Sequence, residues 1–293
     1  MADARYPMMR GRRRRRLRLR LPRVRRGHAI ALAVLSAVAI VAAIATLRPA
    51  PRVDPSRALA DARAAYRLGN YSAARNHALA TLAAVPASQP AMLLLARSYV
   101  ALGDGIAAEG AISRAGDLRV PPPALAGLRA QARFLQGDLQ GAIDAAATAP
   151  ATDGDAIRAA ARAVAAQGDG AAATAALDRW IAGHPRDAAA WADLGRVRLN
   201  AGEIAAATNA ATTAARLAPG DPIPLTLQAE IMRVRFGLAA ALPWFEAALQ
   251  RDAYYHPALI EYAATLGDAG RYAEMLSATR RARAVRRRST CRR

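Results

Sequence analysis

The chain has 293 residues, enough for two ordinary domains or one long repeat array. Its 42 basic residues are all arginine and face 22 acidic ones, a net charge of +20, while aromatic residues make up only 5%. A single cysteine excludes an internal disulfide framework, four scattered histidines leave little for a histidine-based metal site, and 54% hydrophobic residues exclude a disordered polar chain.

The positive charge is not spread over the chain. Residues 1–27 hold twelve arginines against Asp3, and residues 280–293 hold eight arginines and no acid, so the body between them is close to neutral. A nucleic-acid-binding domain spreads basic charge over a folded face with aromatics interleaved, and this body does neither, so no specific nucleic-acid binding is expected. After the basic leader, Ala29 to Leu47 is a run of 19 residues without a charge. At 1.5 Å per residue it spans roughly 29 Å, the thickness of a bilayer's hydrocarbon layer. Residues 28–47 therefore read as a transmembrane helix. Arginines on its N-terminal side hold that end in the cytoplasm and send everything after Arg48 across the membrane. A cleaved signal peptide is the rival reading, with Ala43-Ile44-Ala45 as the small-residue cleavage site and Thr46 as the new terminus. A buried core helix fits poorly between arginines and Pro49 and Pro51. Residues 48–56, RPAPRVDPS, form a short stiff linker.

From residue 57 to about 285 one period governs the chain. Glycines at 69, 103, 137, 168, 202, 237 and 270 sit in similar phrases, spaced 34, 34, 31, 34, 35 and 33 residues apart. Ala74, Ala108, Ala142, Ala173 and Ala207 follow their glycine by five residues, and Pro86, Pro185 and Pro219 by seventeen. The pattern predicts helical hairpins. Apolar residues at helical spacing (Leu94, Leu95, Tyr99; Trp191, Leu194, Leu199) precede the glycine, which turns left-handed to end the first helix. Asp104, Asp138, Asp169 and Glu203 sit at the positive end of the next helix. Alanines let the paired helices approach, and the proline ends the second helix. Such hairpins bury their apolar faces only by stacking. Three residues are missing between Gly137 and Gly168, with an irregular turn at Pro150 and Asp153-Gly154-Asp155. The sixth unit gains a residue, and Pro243 falls where its second helix should be underway.

Residues 188–221 carry Trp191, Leu194, Gly195, Gly202, Ala207, Ala214 and Pro219, and a second fragment carries Ala241, Phe245 and Ala248. In these positions the chain resembles the tetratricopeptide repeat family, over about residues 55–285. The resemblance implies an all-α, right-handed solenoid of about seven helix-turn-helix repeats, placed after the transmembrane helix. It also implies a non-enzymatic scaffold whose concave groove holds protein or peptide partners. In the family, the ninth residue of each first helix faces that groove. The matching positions here are Arg63, Arg97, Gln131, Arg162, Arg196 and, with a one-residue shift, Glu230, while Arg67 and Arg158 face the same way. An arginine row suits acidic segments, chain-terminal carboxylates or anionic polysaccharide. The other reading is of solvated arginines on amphipathic helices.

No catalytic arrangement emerges, and no cofactor is expected. His28, His77, His184 and His256 fall at unrelated places, and no phosphate-binding loop, GxSxG phrase or dinucleotide fingerprint is present. Cys291 lies on the basic tail of residues 286–293. That tail reads in three ways: a polar end cap, an anion-binding segment, or the end of a truncated reading frame. Abundant alanine and arginine without lysine point to a bacterium, and the arginines before Ala29–Leu47 to an inner-membrane protein with periplasmic repeats. Similar single-anchor repeat proteins occur in envelope assembly, exopolysaccharide export and cytochrome maturation. The alternative is a soluble periplasmic or secreted adaptor after signal cleavage.

Overall fold

The computed structural model describes residues 54–290, with side chains through Ala284, and the basic leader and the Ala29–Leu47 segment lie outside the described residues. Among the described residues there are fourteen α-helices and no strands. No helix among them is long and apolar enough to cross a membrane.

The helices pair into seven hairpins: α1 (Pro55–Arg67) with α2 (Tyr71–Ala84), α3 (Gln89–Ala101) with α4 (Gly105–Asp117), α5 (Pro122–Leu135) with α6 (Leu139–Ala147), α7 (Gly154–Ala166) with α8 (Gly170–Gly183), α9 (Ala188–Asn200) with α10 (Ile204–Leu217), α11 (Pro222–Phe236) with α12 (Leu238–Arg251), and α13 (His256–Asp268) with α14 (Tyr272–Thr290). All seven periodic glycines have positive φ, from 73° to 103°, as the hairpin pattern requires. The residue after the turn caps the second helix. Asp104, Asp138 and Asp169 each accept a hydrogen bond from the third backbone N–H of that helix. Glu203 occupies the same place without a side-chain cap, its carboxylate carried one methylene further from the backbone. The second helices α2, α8 and α10 stop one residue before Val85, His184 and Ala218 give way to Pro86, Pro185 and Pro219. Those three residues share φ of −133°, as the residue before a proline must avoid helical geometry.

Packing follows the alanine spacing. Ala74, Ala108, Ala142, Ala173 and Ala207 are all buried against neighbouring helices, and each hairpin packs on the next. The two irregular units resolve differently. Loss of three residues shortens α6 to nine, and α5 packs extensively on α7. At Gly127 on α5, a Cβ would meet the Asp153 carboxylate at 2.5 Å, so the turn that caps α7 fits only against a bare backbone. In the sixth unit α12 runs unbroken through Pro243. Pro243 is the sixth residue of that helix and forgoes one bond, to the Ala239 carbonyl. The last helix, α14, runs on into the arginine tail as far as Thr290.

The array curves until it meets itself. The α1–α2 turn touches the α10–α11 turn: a Cβ on Gly69 would lie 2.3 Å from the Gly220 carbonyl oxygen, and one on Gly220 would lie 2.9 Å from that of Leu68. Beside it, Ser72 at the start of α2 donates its N–H (2.8 Å) and its hydroxyl (2.6 Å) to the carboxylate of Asp252, between α12 and α13. Asp252 is only 1% exposed. Tyr71, Leu102, Tyr255 and Leu259 form one apolar cluster across this seam, 180 residues apart in sequence at the Ser72–Asp252 contact.

Gly69 and Gly137 share the same backbone conformation, but nothing lies within 4 Å of a Cβ on Gly137. Gly137→Ala is expected to cost about 1 kcal/mol, the strain of a left-handed alanine alone. Gly69→Ala is expected to cost distinctly more, because it also forces the seam apart. Urea unfolding of both variants checks the order.

Candidate functional site

The first helices of the hairpins face inward and line a partly open cavity of about 460 Å³. Its floor comes from α3, α5, α7 and α9. Tyr66 and Tyr71 close it from one side of the seam, and Asp221 and Tyr255 from the other. A second cavity, of about 490 Å³, adjoins it between α3, α5, α7 and the turn before α9. The two share Arg97, Leu128, Asp155 and Arg158.

Four of the six arginines singled out from the sequence meet here: Arg97, Arg158, Arg162 and Arg196 all line the first of these cavities. Arg63 and Arg67 are exposed and line neither cavity. On α1 it is Tyr66, three residues before the turn, that reaches the interior. Arg63 lies about one helical turn further from the seam.

The sequence reading placed Glu230 on the groove face but missed Asp193 and Asp155 there, and paired no carboxylate with the arginines. Arg158 pairs with Asp155 three residues earlier and, at 3.5 Å, with Asp193 on the next repeat. Arg162 reaches the other oxygen of Asp193 at 3.8 Å and lies over the Phe134 ring, 4.2 Å from its centroid. Arg196 is held by Glu230 one repeat further on. Arg97 makes no ion pair among the described residues, and it is exposed at the junction of the two cavities. A usable signal was present: Arg196 and Glu230 are 34 residues apart, so opposite charges one period apart mark neighbours on adjacent first helices.

Burial sets the titration of the cavity. It pulls the Arg158 guanidinium down, but Asp193, Asp155 and Asp187 more than offset this and hold it above its ordinary value. Burial lowers Arg196. The Tyr66 hydroxyl is pushed up to about 12, first by burial and then by Asp155. Tyr71 and Tyr255 are raised by burial and by Asp221. The Asp221 carboxyl is itself raised by burial, against the opposing effects of the Ile223 N–H and the adjacent Tyr71 hydroxyl.

No group of three or more metal-ligating side chains occurs among the described residues. Two of the histidines have structural settings. His184 stacks on Trp180 with centroids 3.7 Å apart, and the His77 carbonyl accepts from Thr81.

No protein-family model matches the chain, and no curated protein matches it. Solved structures do. The crystal structure of the APC/C hetero-tetramer Cut9–Hcn1 superposes with a TM-score of 0.57 at 14% identity, over 83% of this chain and 48% of that one. This chain thus spans about half the length of the chain it matches. The crystal structure of MamA gives a TM-score of 0.40 at 16% identity, over 54% of this chain and 95% of that one. The Cut9–Hcn1 likeness shows the fold.

Asp221 supplies a pH test. Its carboxyl titrates above 3.8 in the folded chain, so its stabilising contribution is full below about pH 3.8 and is lost as pH rises through the folded value. Asp221→Asn keeps an acceptor for the Ile223 N–H and removes the charge. The melting temperature of the variant relative to the parent is expected to rise between pH 3.5 and 7. Thermal melts of both proteins across that range check it.

Proposed function

We propose, from the tetratricopeptide-repeat fold of this chain, that it is a non-enzymatic scaffold that holds a partner protein by an acidic segment or a chain-terminal carboxylate in the inner cavity. The observation that carries this reading is Arg97. It lines both cavities without an ion pair among the described residues, while the arginines around it are already held by carboxylates. Neutralised neighbours leave Arg97 as the group available for a bidentate contact to an incoming carboxylate. Recognition here rests on placement rather than on net charge, since the repeat body is nearly neutral.

We further propose that residues 1–27 stay in the cytoplasm, that Ala29–Leu47 anchors the chain in a bacterial inner membrane, and that the repeats work in the periplasm. The uncharged 19-residue run directly after twelve arginines supports this topology. Envelope assembly, exopolysaccharide export and cytochrome maturation are the settings it suits. Cleavage after Ala45 would instead release a soluble adaptor. N-terminal sequencing of the membrane fraction separates the two: a mature chain starting at Thr46 removes the anchor.

Fluorescence anisotropy with a labelled hexaglutamate peptide tests the cavity. Arg97→Glu is expected to weaken binding by roughly tenfold or more, the loss of a charge-assisted contact. Arg67→Glu makes the same change in net charge outside the cavity and is expected to leave binding nearly unchanged. Equal losses would reduce the interaction to bulk electrostatics and sink the groove reading.

A further inference from the structure

Adjacent hairpins of this array pack along whole helices, whereas the two sides of the seam meet chiefly at turns and helix ends, with Gly103 beside Pro257 among them. The contact consists of the Gly69–Gly220 backbone approach, the Ser72–Asp252 hydrogen bonds and the small apolar cluster around Tyr71 and Tyr255. Two of these residues, Tyr71 and Tyr255, also wall the cavity, together with Tyr66 beside the first and Asp221 across the seam. Whatever enters the interior by this side must separate them.

We propose that the seam is a latch: it parts while the hairpins from α3–α4 to α9–α10 remain folded, and its closure walls the cavity on this side. Partial opening of this kind is drawn from the interfaces that bury least. A segment inside the cavity touches both sides of the seam and therefore favours the closed form. The latch does not depend on which ligand the cavity takes, and it can be read on the empty protein.

One amide reports it directly. Ser72 is the second residue of α2, so its N–H has no partner within the helix. The neighbouring Ala73 N–H is satisfied locally by the Asn70 side chain, whereas that of Ser72 is satisfied only across the seam by Asp252. Protection of the Ser72 amide from hydrogen exchange is therefore protection by the latch.

The experiment is residue-resolved hydrogen exchange on the full-length chain, comparing Ser72 with Leu194 in the core of α9. A latch predicts that Ser72 exchanges more slowly than a free amide but about tenfold or more faster than Leu194. In Asp252→Ala, Ser72 is expected to lose its protection while Leu194 keeps its own. Two results overturn the proposal: Ser72 and Leu194 exchanging at one common rate, which makes the ring a single rigid unit, or Ser72 retaining full protection in Asp252→Ala. Should that variant fail to fold, the order of the two rates in the parent chain decides alone.

Discussion

Helix backbones in this chain approach closely because alanine occupies the contacts between them. An alanine five residues after the turn glycine leaves only a methyl group between paired helices, and five repeats place a buried one there. Small contacts bury little apolar area each, so no single interface carries the fold. Stability comes from repetition of one unit, and so does shape. Each hairpin turns relative to the last by a small fixed amount, and enough of them bring the first turn against the tenth and eleventh helices. The shortened α6 belongs to this geometry, with α5 packed extensively on α7 in the middle of the curve.

Curvature changes the meaning of the concave face. On an open array the arginine row would face solvent. Here it faces a sheltered interior, where burying a cation is costly unless a carboxylate accompanies it. Asp155, Asp193 and Glu230 supply that accompaniment for Arg158, Arg162 and Arg196. Arg97 is exposed at the edge of the interior and needs no such partner. The electrostatic character of the groove is thus set residue by residue.

Local rules carried the sequence reading as far as local rules reach. Glycine spacing announced every hairpin turn, since a left-handed residue is needed at a fixed place in each unit. The acidic caps followed, except at Glu203, where side-chain length defeats the pattern. Pro243 lies within the second helix of its unit, where it costs one hydrogen bond and does not end the helix. The seam left no trace in the periodicity: Ser72 and Asp252 are ordinary turn residues until the array curves round to join them. That long-range contact also decides which arginines see the cavity. It draws Tyr66 and Tyr71 into the interior, and Arg63 and Arg67 stay on the surface.

A linear repeat array can fray from either end, one unit at a time, with each unit held only by its neighbour. Joining the ends removes both starting points at once. The terminal hairpins here, which in an open array would be the most weakly held, shelter one another through Asp252 and the tyrosines around it. Unravelling must therefore begin with a separate event at the junction, and the chain behaves as a circle until that event occurs.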